Sequence, residues 1–268
     1  LKFNSGCSPT VNGTLDAKGT RAAPIVFTSL KDDEQGGDTN GDGDKTYAQG
    51  GDWEYISVSG TANLKYCKAM YGAPSNETGI IETSGAGLLD MDCCVVAHAC
   101  YDGIWNWGGT ISVKNTVIFD TGWATAPYSG SRNEYINCIF YGNNVGVCYW
   151  SHWSGNPVYR NCIFSECGNG WCELNSGSYG DPPSSVGVYN CLFWNPVSFG
   201  QQSCGLVGKN GNIWGDPKFV DADNGDFRIK KGSPCINAGD SANAPEFDYY
   251  GQPRDDSAPD IGIYELAR

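Results

Sequence analysis

The sequence predicts an all-β fold, a right-handed parallel β-helix in which three short strands form each coil of a solenoid. A short Asn-Cys strand motif recurs along the chain, and its steps of 22, 22, 24 and 29 residues are typical of solenoids. Gly and Pro account for 37 and 13 of the 268 residues, and windows longer than about ten residues lack the period of an amphipathic helix. The equivalent positions of the motif are Cys94, Thr116, Cys138, Cys162 and Cys191.

Each period contains three strand-like segments. The first begins at the recurring motif, as in NCIFYGN at 137–143. The second follows a glycine, as in GIWNW at 103–107, and the third leads into the next Asn-Cys pair, as in NEYIN at 133–137. Strands repeated in this way pair in parallel with the next coil, about 4.7 to 4.9 Å away. The motif therefore predicts a ladder of stacked asparagines, formed by Asn115, Asn137, Asn161 and Asn190.

A β-sandwich is the main alternative, because it would also contain short strands joined by turns. The in-register recurrence of the Asn-Cys motif favours the solenoid. We expect one domain over residues 1–268, with a calcium-like loop and the first coils at 24–56, repeat coils at 64–212 and a C-terminal capping segment at 213–268.

Charge and hydrophobicity exclude two classes of partner. The net charge is −13 at pH 7, and the 17 Lys and Arg residues are scattered. Binding to a polyanion needs clustered basic residues, so nucleic acid and acidic polysaccharides are poor partners. No apolar run approaches the roughly 18 residues of a membrane span. We therefore expect neither a nucleic-acid nor a membrane partner.

The 13 cysteines are an odd number, so at least one cannot pair within the chain. The paired CxxC spacing of a zinc site is absent. We expect Cys138, Cys162 and Cys191 to stack as small buried hydrophobic side chains. Cys148 and Cys172 are expected to point outward from adjacent coils, within reach of a disulfide bridge.

The acidic loop DTNGDGD at 38–44 places oxygen-bearing side chains at alternate positions around glycines, as in the first half of a calcium-binding loop. Gln49 stands where an EF-hand would have its glutamate, so the loop is not an EF-hand. We expect bound calcium to have a structural role, with a solvated acidic turn as the alternative. The candidate ligands are Asp38, Asn40, Asp42 and Asp44, with Asp32, Asp33 or Asp52 completing the shell.

Catalytic signals are weak. An Arg-Ile-Lys triplet typical of polygalacturonases occurs at 228–230, but it lies in the terminal segment, and the partner motifs of such enzymes are absent from the coils. β-Elimination needs a base and cations that stabilise the developing charge, which this acidic chain supplies poorly. His98 is expected to be buried and hydrogen-bonded, and His152 to lie at the edge of a binding face.

Segments near both ends carry a family resemblance. Residues 24–56, residues 216–240 and the stretch DIGIYE at 260–265 resemble segments of secreted bacterial β-helix proteins. The resemblance implies an extracellular protein that is often one module of a larger polypeptide. It also implies action on, or binding to, plant polysaccharide.

Aromatic residues of the second strands suggest a ligand-binding face. Alignment of these strands on their glycines places Trp105, Trp107 and Trp150 on one exposed face, with Trp153 just beyond its edge. Exposed aromatic patches usually mark ligand or partner sites. Indoles suit the apolar faces of sugar rings, and nearby polar groups such as those of Asn106 and His152 can contact sugar hydroxyls. The alternative is that these rings cover hydrophobic surface beneath a long loop.

Our leading hypothesis is a non-catalytic carbohydrate-binding module. The chain resembles the β-helical modules of bacterial plant-cell-wall enzymes, for which xylan is the implied ligand and a linked catalytic domain the implied neighbour. The predicted partner is a neutral polysaccharide such as xylan or a related β-glycan. A β-helix polysaccharide lyase or glycoside hydrolase is the second hypothesis, and an adhesive surface module that binds a protein is the third.

Overall fold

The computed structural model describes residues 1–128, 131–150, 156–168, 172–174, 186–194 and 205–267. It confirms the predicted all-β parallel β-helix. Three parallel sheets, which we call sheets I, II and III, form the sides of the coils. The described part of the chain contains no helix with the length and hydrophobicity needed to cross a membrane.

Over most of the chain, consecutive strands visit the three sheets in turn, so a strand pairs with the strand three places further along. The last strand of sheet I instead pairs with the strand directly before it in the chain. Sheet I contains β1 (Lys2–Phe3), β4 (Ile25–Ser29), β7 (Cys67–Met70), β10 (Val95–Ala97), β13 (Val117–Phe119), β16 (Ile139–Tyr141), β19 (Ile163–Ser165), β22 (Leu192–Trp194) and β23 (Ile213–Trp214). Sheet II contains β2 (Thr10–Val11), β5 (Ile56–Val58), β8 (Gly79–Thr83), β11 (Asp102–Asn106), β14 (Trp123–Pro127), β17 (Gly146–Trp150) and β20 (Cys172–Leu174). Sheet III contains β3 (Thr14–Lys18), β6 (Thr61–Lys65), β9 (Leu88–Asp92), β12 (Thr110–Lys114), β15 (Arg132–Ile136), β18 (Asn156–Arg160) and β21 (Gly187–Tyr189). A separate antiparallel hairpin contains β24 (Phe219–Asp221) and β25 (Asp226–Ile229).

The recurring cysteines lie in the core, as the sequence predicts. Cys138, Cys162 and Cys191 are completely buried, and the Cys162 N–H donates to the Cys191 sulfur at 3.4 Å. Sheet I pairs the residues that directly follow the motif cysteines, for example Ile139 with Ile163. The alignment of the Asn-Cys motif is therefore confirmed.

The asparagines before these cysteines turn the chain between sheets III and I. Asn115, Asn137, Asn161 and Asn190 have φ values of 45°, 52°, 52° and 52°, a left-handed conformation that Asn tolerates better than most residues. The Asn161 amide donates to the Asn137 side-chain oxygen at 3.2 Å. The predicted ladder is confirmed for this pair.

The C-terminal segment packs along the outer face of sheet I. Phe227, Ile229 and Ile263 join Ile139 and Ile163 in a second hydrophobic cluster. This contact explains why sheet I has apolar residues on both of its faces.

The segment is also held by hydrogen bonds to the asparagine turns. The Asn137 amide donates to the carbonyl oxygens of Asp260 and Gly262 at 3.0 and 2.9 Å. The buried Arg254 guanidinium donates to the Asn115 side-chain oxygen at 2.8 Å. The ladder thus binds the tail as well as shaping the coils.

The register of sheet II differs from the alignment on glycines. Gly146 pairs with Trp123, not with Gly122, and Cys148 pairs with Thr125. A slip of one residue exchanges the two faces of a strand. The prediction that Cys148 points outward is therefore wrong, because Cys148 lies in the core cluster. Cys148 and Cys172 do pair in register, but the side chain of Cys172 lies outside the described structure.

Candidate functional site

An aromatic cluster occupies the outer face of sheet II. The ring centroids of Trp105 and Trp107 are 5.2 Å apart, and those of Trp107 and Tyr128 are 4.6 Å apart. Trp107 is 40% exposed, whereas Trp105 is 1% exposed. The predicted exposure of Trp107 is confirmed and that of Trp105 is wrong. Trp105 lies against its two neighbours, so Trp107 and Tyr128 provide the accessible ring surface.

Tyr128 is a member of this cluster that the sequence reasoning missed. The register pairs Trp105 with Ala126, which places Tyr128 in the next coil beside Trp107. The alignment on Gly103 and Gly122 is two residues away from this register. Trp107 and Tyr128 each directly follow a sheet II strand, one residue beyond the paired residues Asn106 and Pro127. This shared position was the signal that could have identified Tyr128.

Asn106 has a structural role. It is 1% exposed, and its side-chain oxygen accepts hydrogen bonds from the Thr83 hydroxyl at 2.6 Å and the Gly109 N–H at 2.8 Å. Its amide donates to the Asn133 side-chain oxygen at 2.8 Å. The prediction that Asn106 contacts sugar hydroxyls is wrong, because its hydrogen bonds hold the turn between sheets II and III.

A buried carboxyl group lies beside the aromatic cluster. Glu82 pairs in register with Trp105, and its side chain accepts hydrogen bonds from the Gly79 N–H at 3.2 Å and from the Trp107 indole. Burial raises the pKa of Glu82 to about 7, although these hydrogen bonds oppose the shift. Near neutral pH the group can therefore donate or accept a proton in a hydrogen bond to a ligand.

Asp102 is the second buried carboxyl group of this region. It is 3% exposed, and it accepts a hydrogen bond from the Trp123 N–H at 3.2 Å. Burial, reinforced by the charge of Glu82, raises the pKa of Asp102 to about 8. Perturbed carboxyl groups cluster at functional sites more often than elsewhere. Sequence reasoning missed both, because burial in a coil strand depends on the register.

The remaining predicted aromatic residues are described only in part. The backbone of Trp150 ends β17, two residues after Cys148, at the register position of Pro127 and Asn106. His152 and Trp153 lie outside the described residues. The Tyr128 ring lies beside Trp107 in the coil between Trp107 and Trp150.

The acidic loop forms a compact group of three carboxylates. Oxygens of Asp33, Asp38 and Asp42 lie within 4.8 Å of one another. Asp38 accepts the backbone N–H groups of Gly41 and Gly43 at 2.7 and 2.8 Å. Within the described structure, one buried oxygen of Asp33 and one of Asp42 have no hydrogen-bond partner.

This group fits a calcium ion, which prefers several carboxylate and carbonyl oxygens at about 2.3 to 2.6 Å. Burial and the nearby carboxylates, Asp38 before Asp42, raise the pKa of Asp33. A bound cation would relieve this repulsion and satisfy the two unpartnered oxygens. Asp38 and Asp42 were predicted ligands, and Asp33 was one of the three candidates to complete the shell.

Two predicted ligands, Asp52 and Asp44, stand apart from this group, whereas Asn40 lies beside it. Asp52 accepts hydrogen bonds from the Ser29 hydroxyl at 2.7 Å and the Lys31 ammonium at 2.6 Å, so its prediction as a ligand is wrong. The Asn40 amide donates to Asp42 at 3.0 Å. Asp44 is exposed and lies outside the group of three.

His98 lies on another face, beside sheet I. Its Nδ1 is 2.6 Å from an Asp120 carboxylate oxygen, which confirms the predicted hydrogen bond. The side chain is 32% exposed, so the prediction of burial is wrong.

A comparison with solved structures supports the fold. The crystal structure of pectate lyase Pel9A matches with a TM-score of 0.51 and 13% sequence identity, and the match covers 100% of this chain and 85% of that protein. No protein-family model and no curated protein sequence matches the chain. At 13% identity the likeness shows the fold alone. The chain is a parallel β-helix protein similar in fold to a pectate lyase.

Proposed function

We propose that this protein is a non-catalytic module that binds a neutral plant cell-wall polysaccharide, such as xylan, on the outer face of sheet II. The observation that carries the proposal is the Trp107 ring, 40% exposed and 4.6 Å from Tyr128. Two adjacent aromatic rings on one sheet suit the apolar faces of consecutive sugars, and such patches usually mark a ligand site.

Charge and fold add support. The net charge of −13 disfavours an acidic polymer, so a neutral glycan fits better than a polyuronate. The similar solved structure is that of a pectate lyase, an enzyme that acts on a polysaccharide. An extracellular location and a linked catalytic domain belong to the same proposal, because a cell-wall binder works where the polymer lies. The proposal also includes a structural calcium ion at the loop of Asp33, Asp38 and Asp42.

The second candidate is a polysaccharide lyase or glycoside hydrolase. Glu82 favours it, because a carboxyl group with a pKa of about 7 beside exposed rings suits general acid catalysis. Release of reducing ends from xylan, or of unsaturated products from polygalacturonate, would establish an enzyme and remove the non-catalytic proposal.

The test of binding is affinity electrophoresis in gels that contain xylan, β-glucan or polygalacturonate. The Trp107→Ala variant should be retarded much less by xylan than the parent while it remains folded, because the Trp107 ring is 40% exposed. Loss of one central aromatic contact commonly costs more than about 1 kcal/mol of binding. Trp214→Ala is the matched control, since Trp214 is 38% exposed on sheet I. Equal retardation of parent and Trp107→Ala would contradict the site.

A further inference from the structure

A cavity of about 430 Å³ lies between the outer face of sheet I and the C-terminal segment. Its size is within the range of roughly 300 to 1,000 Å³ typical of small-molecule sites. Val95, Val117 and Phe119 of sheet I form one apolar wall, and Phe227 and Ile263 of the C-terminal segment contribute another. The cavity is on a different side of the coils from the aromatic cluster of sheet II.

A fixed ring pair lines this cavity. The His98 and Tyr71 rings are stacked, with centroids 5.0 Å apart and an interplanar angle of 13°. Phe119 meets the His98 ring edge-on at 5.0 Å. The Asp120 carboxylate, 2.6 Å from Nδ1, favours the proton on Nδ1 and therefore leaves Nε2 as an acceptor in the neutral ring. The aromatic surface and its polar edge are held in place before any ligand arrives.

The polar lining contains both donors and acceptors. Lys68 and Asn224 supply donors, and Asp32, Glu34 and Asp223 supply acceptors. Sugar hydroxyls donate and accept at once, so a mixed lining beside a flat aromatic surface suits a neutral sugar.

We propose that this cavity is a second saccharide site, which binds one end or a short stretch of a neutral oligosaccharide against Tyr71 and His98. The site stands on different residues from those of the proposed xylan face. Asp223 also lines a neighbouring open groove of about 500 Å³, where it accepts a hydrogen bond from the Tyr141 hydroxyl at 2.8 Å. A longer chain can therefore continue from the cavity into that groove.

Two sites on different sides let one molecule contact two glycan segments. Occupation of both would cross-link neighbouring chains or hold a single chain around the solenoid, and the second contact would raise the overall affinity without a new partner.

Histidine ring NMR signals provide the test, because the chain has only two histidines. The His98 signal is assigned with a His98→Gln variant, and the probes are xylotriose, cellotriose and mannotriose. We expect at least one of these neutral trisaccharides to shift the His98 signal in a saturable manner. The same shift should occur in Trp107→Ala, so failure of the sheet II site and failure of this site are distinguishable.

Two variants should weaken the response at least tenfold: Tyr71→Ala, which removes the stacked ring, and Lys68→Ala, which removes a partly exposed donor and leaves the ring pair intact. Tyr101→Ala, exposed and outside the cavity, is the control. Unchanged melting curves confirm that each variant is folded. An unmoved His98 signal with all three sugars, or a shift only with trigalacturonate or with a glucosamine trimer, would overturn the proposal.

Discussion

At the scale of single residues, burial separates side chains that look alike in the sequence. Trp105 and Trp107 are two residues apart, yet one is covered and the other is 40% exposed. Glu82 and Asp102 are ordinary acidic residues in the sequence, but burial in the coils raises the pKa of each. Solvent access, which depends on the register of neighbouring coils, decides what each of these residues can do.

Asp102 makes a prediction about pH. Its pKa is about 8 in the folded protein and about 3.9 in an unfolded chain. The folded state therefore holds the proton more tightly. The stabilisation is complete below pH 4 and is lost as the pH rises through 8. The expected loss is on the order of 2 to 4 kcal/mol, since one pKa unit corresponds to about 1.4 kcal/mol.

The measurement is denaturant unfolding at pH 5 and pH 8.5 for the parent and for Asp102→Asn, which keeps an acceptor for the Trp123 N–H but cannot ionise. Glu82, with a folded pKa of about 7, contributes to the same window in both proteins. The parent should lose more stability than the variant between the two pH values. An equal loss would contradict the assignment to Asp102.

At the scale of elements, the sequence predicts the register of a sheet correctly only where particular residues are tied to particular backbone positions. The Asn-Cys motif predicts sheet I correctly, because the left-handed turn favours asparagine, as at Asn137, and the adjacent core position is occupied by a small side chain. The glycines before the second strands are not tied to one backbone position. Gly146 therefore pairs with Trp123 instead of Gly122, and the inference about Cys148 fails.

The acidic loop shows the same limit. Its alternating oxygens predict Asp38 and Asp42 as neighbours, because local turns bring alternate residues together. Asp33 joins them only when the chain folds back, and Asp52 is instead used by Ser29 and Lys31. Periodicity in a sequence carries no information on these longer contacts.

Calcium at this loop is tested by chelation. If the ion stabilises the first coils, excess calcium should raise the melting temperature of the chelated protein by several degrees, since a ligand that binds only the folded state adds about 2.7 kcal/mol at 100 times its Kd. Asp42→Asn should abolish most of this rise. Asp44→Asn, which changes an exposed carboxylate outside the group of three, is the matched control. An equal calcium-induced rise in melting temperature in both variants, or no rise in the parent, would contradict the proposed calcium site.

At the scale of the whole molecule, the C-terminal segment makes the outer face of sheet I part of the interior. Phe227 and Ile263 contact sheet I residues in the second hydrophobic cluster, and they also line the cavity proposed as a saccharide site. The coils alone would leave this apolar surface exposed to water. Attachment of the tail therefore supports both the stability of the solenoid and the shape of the cavity.

Arg254 is a buried polar link in this attachment. It is 6% exposed, and it donates to the Asn115 side-chain oxygen at 2.8 Å, to the Gly262 carbonyl at 2.9 Å and to the Glu265 carboxylate at 3.4 Å. Removal of one partner from a buried ion pair typically costs about 3 to 5 kcal/mol. Arg254→Met should therefore destabilise the protein by roughly that amount.

The matched control is Arg228→Met. Arg228 pairs with Asp226 at 2.5 Å on the same segment, but its side chain is 49% exposed, and such surface pairs contribute only about 0 to 1 kcal/mol. Chemical denaturation should separate the two variants by at least about 2 kcal/mol, the difference between these ranges. Detachment of the tail in Arg254→Met would open the cavity, because Phe227 and Ile263 of the tail line it. The variant should therefore also lose the sugar-induced shift of the His98 signal, while retardation by xylan at sheet II persists. Similar stability of the two variants would contradict a stabilising role of Arg254 in holding the tail.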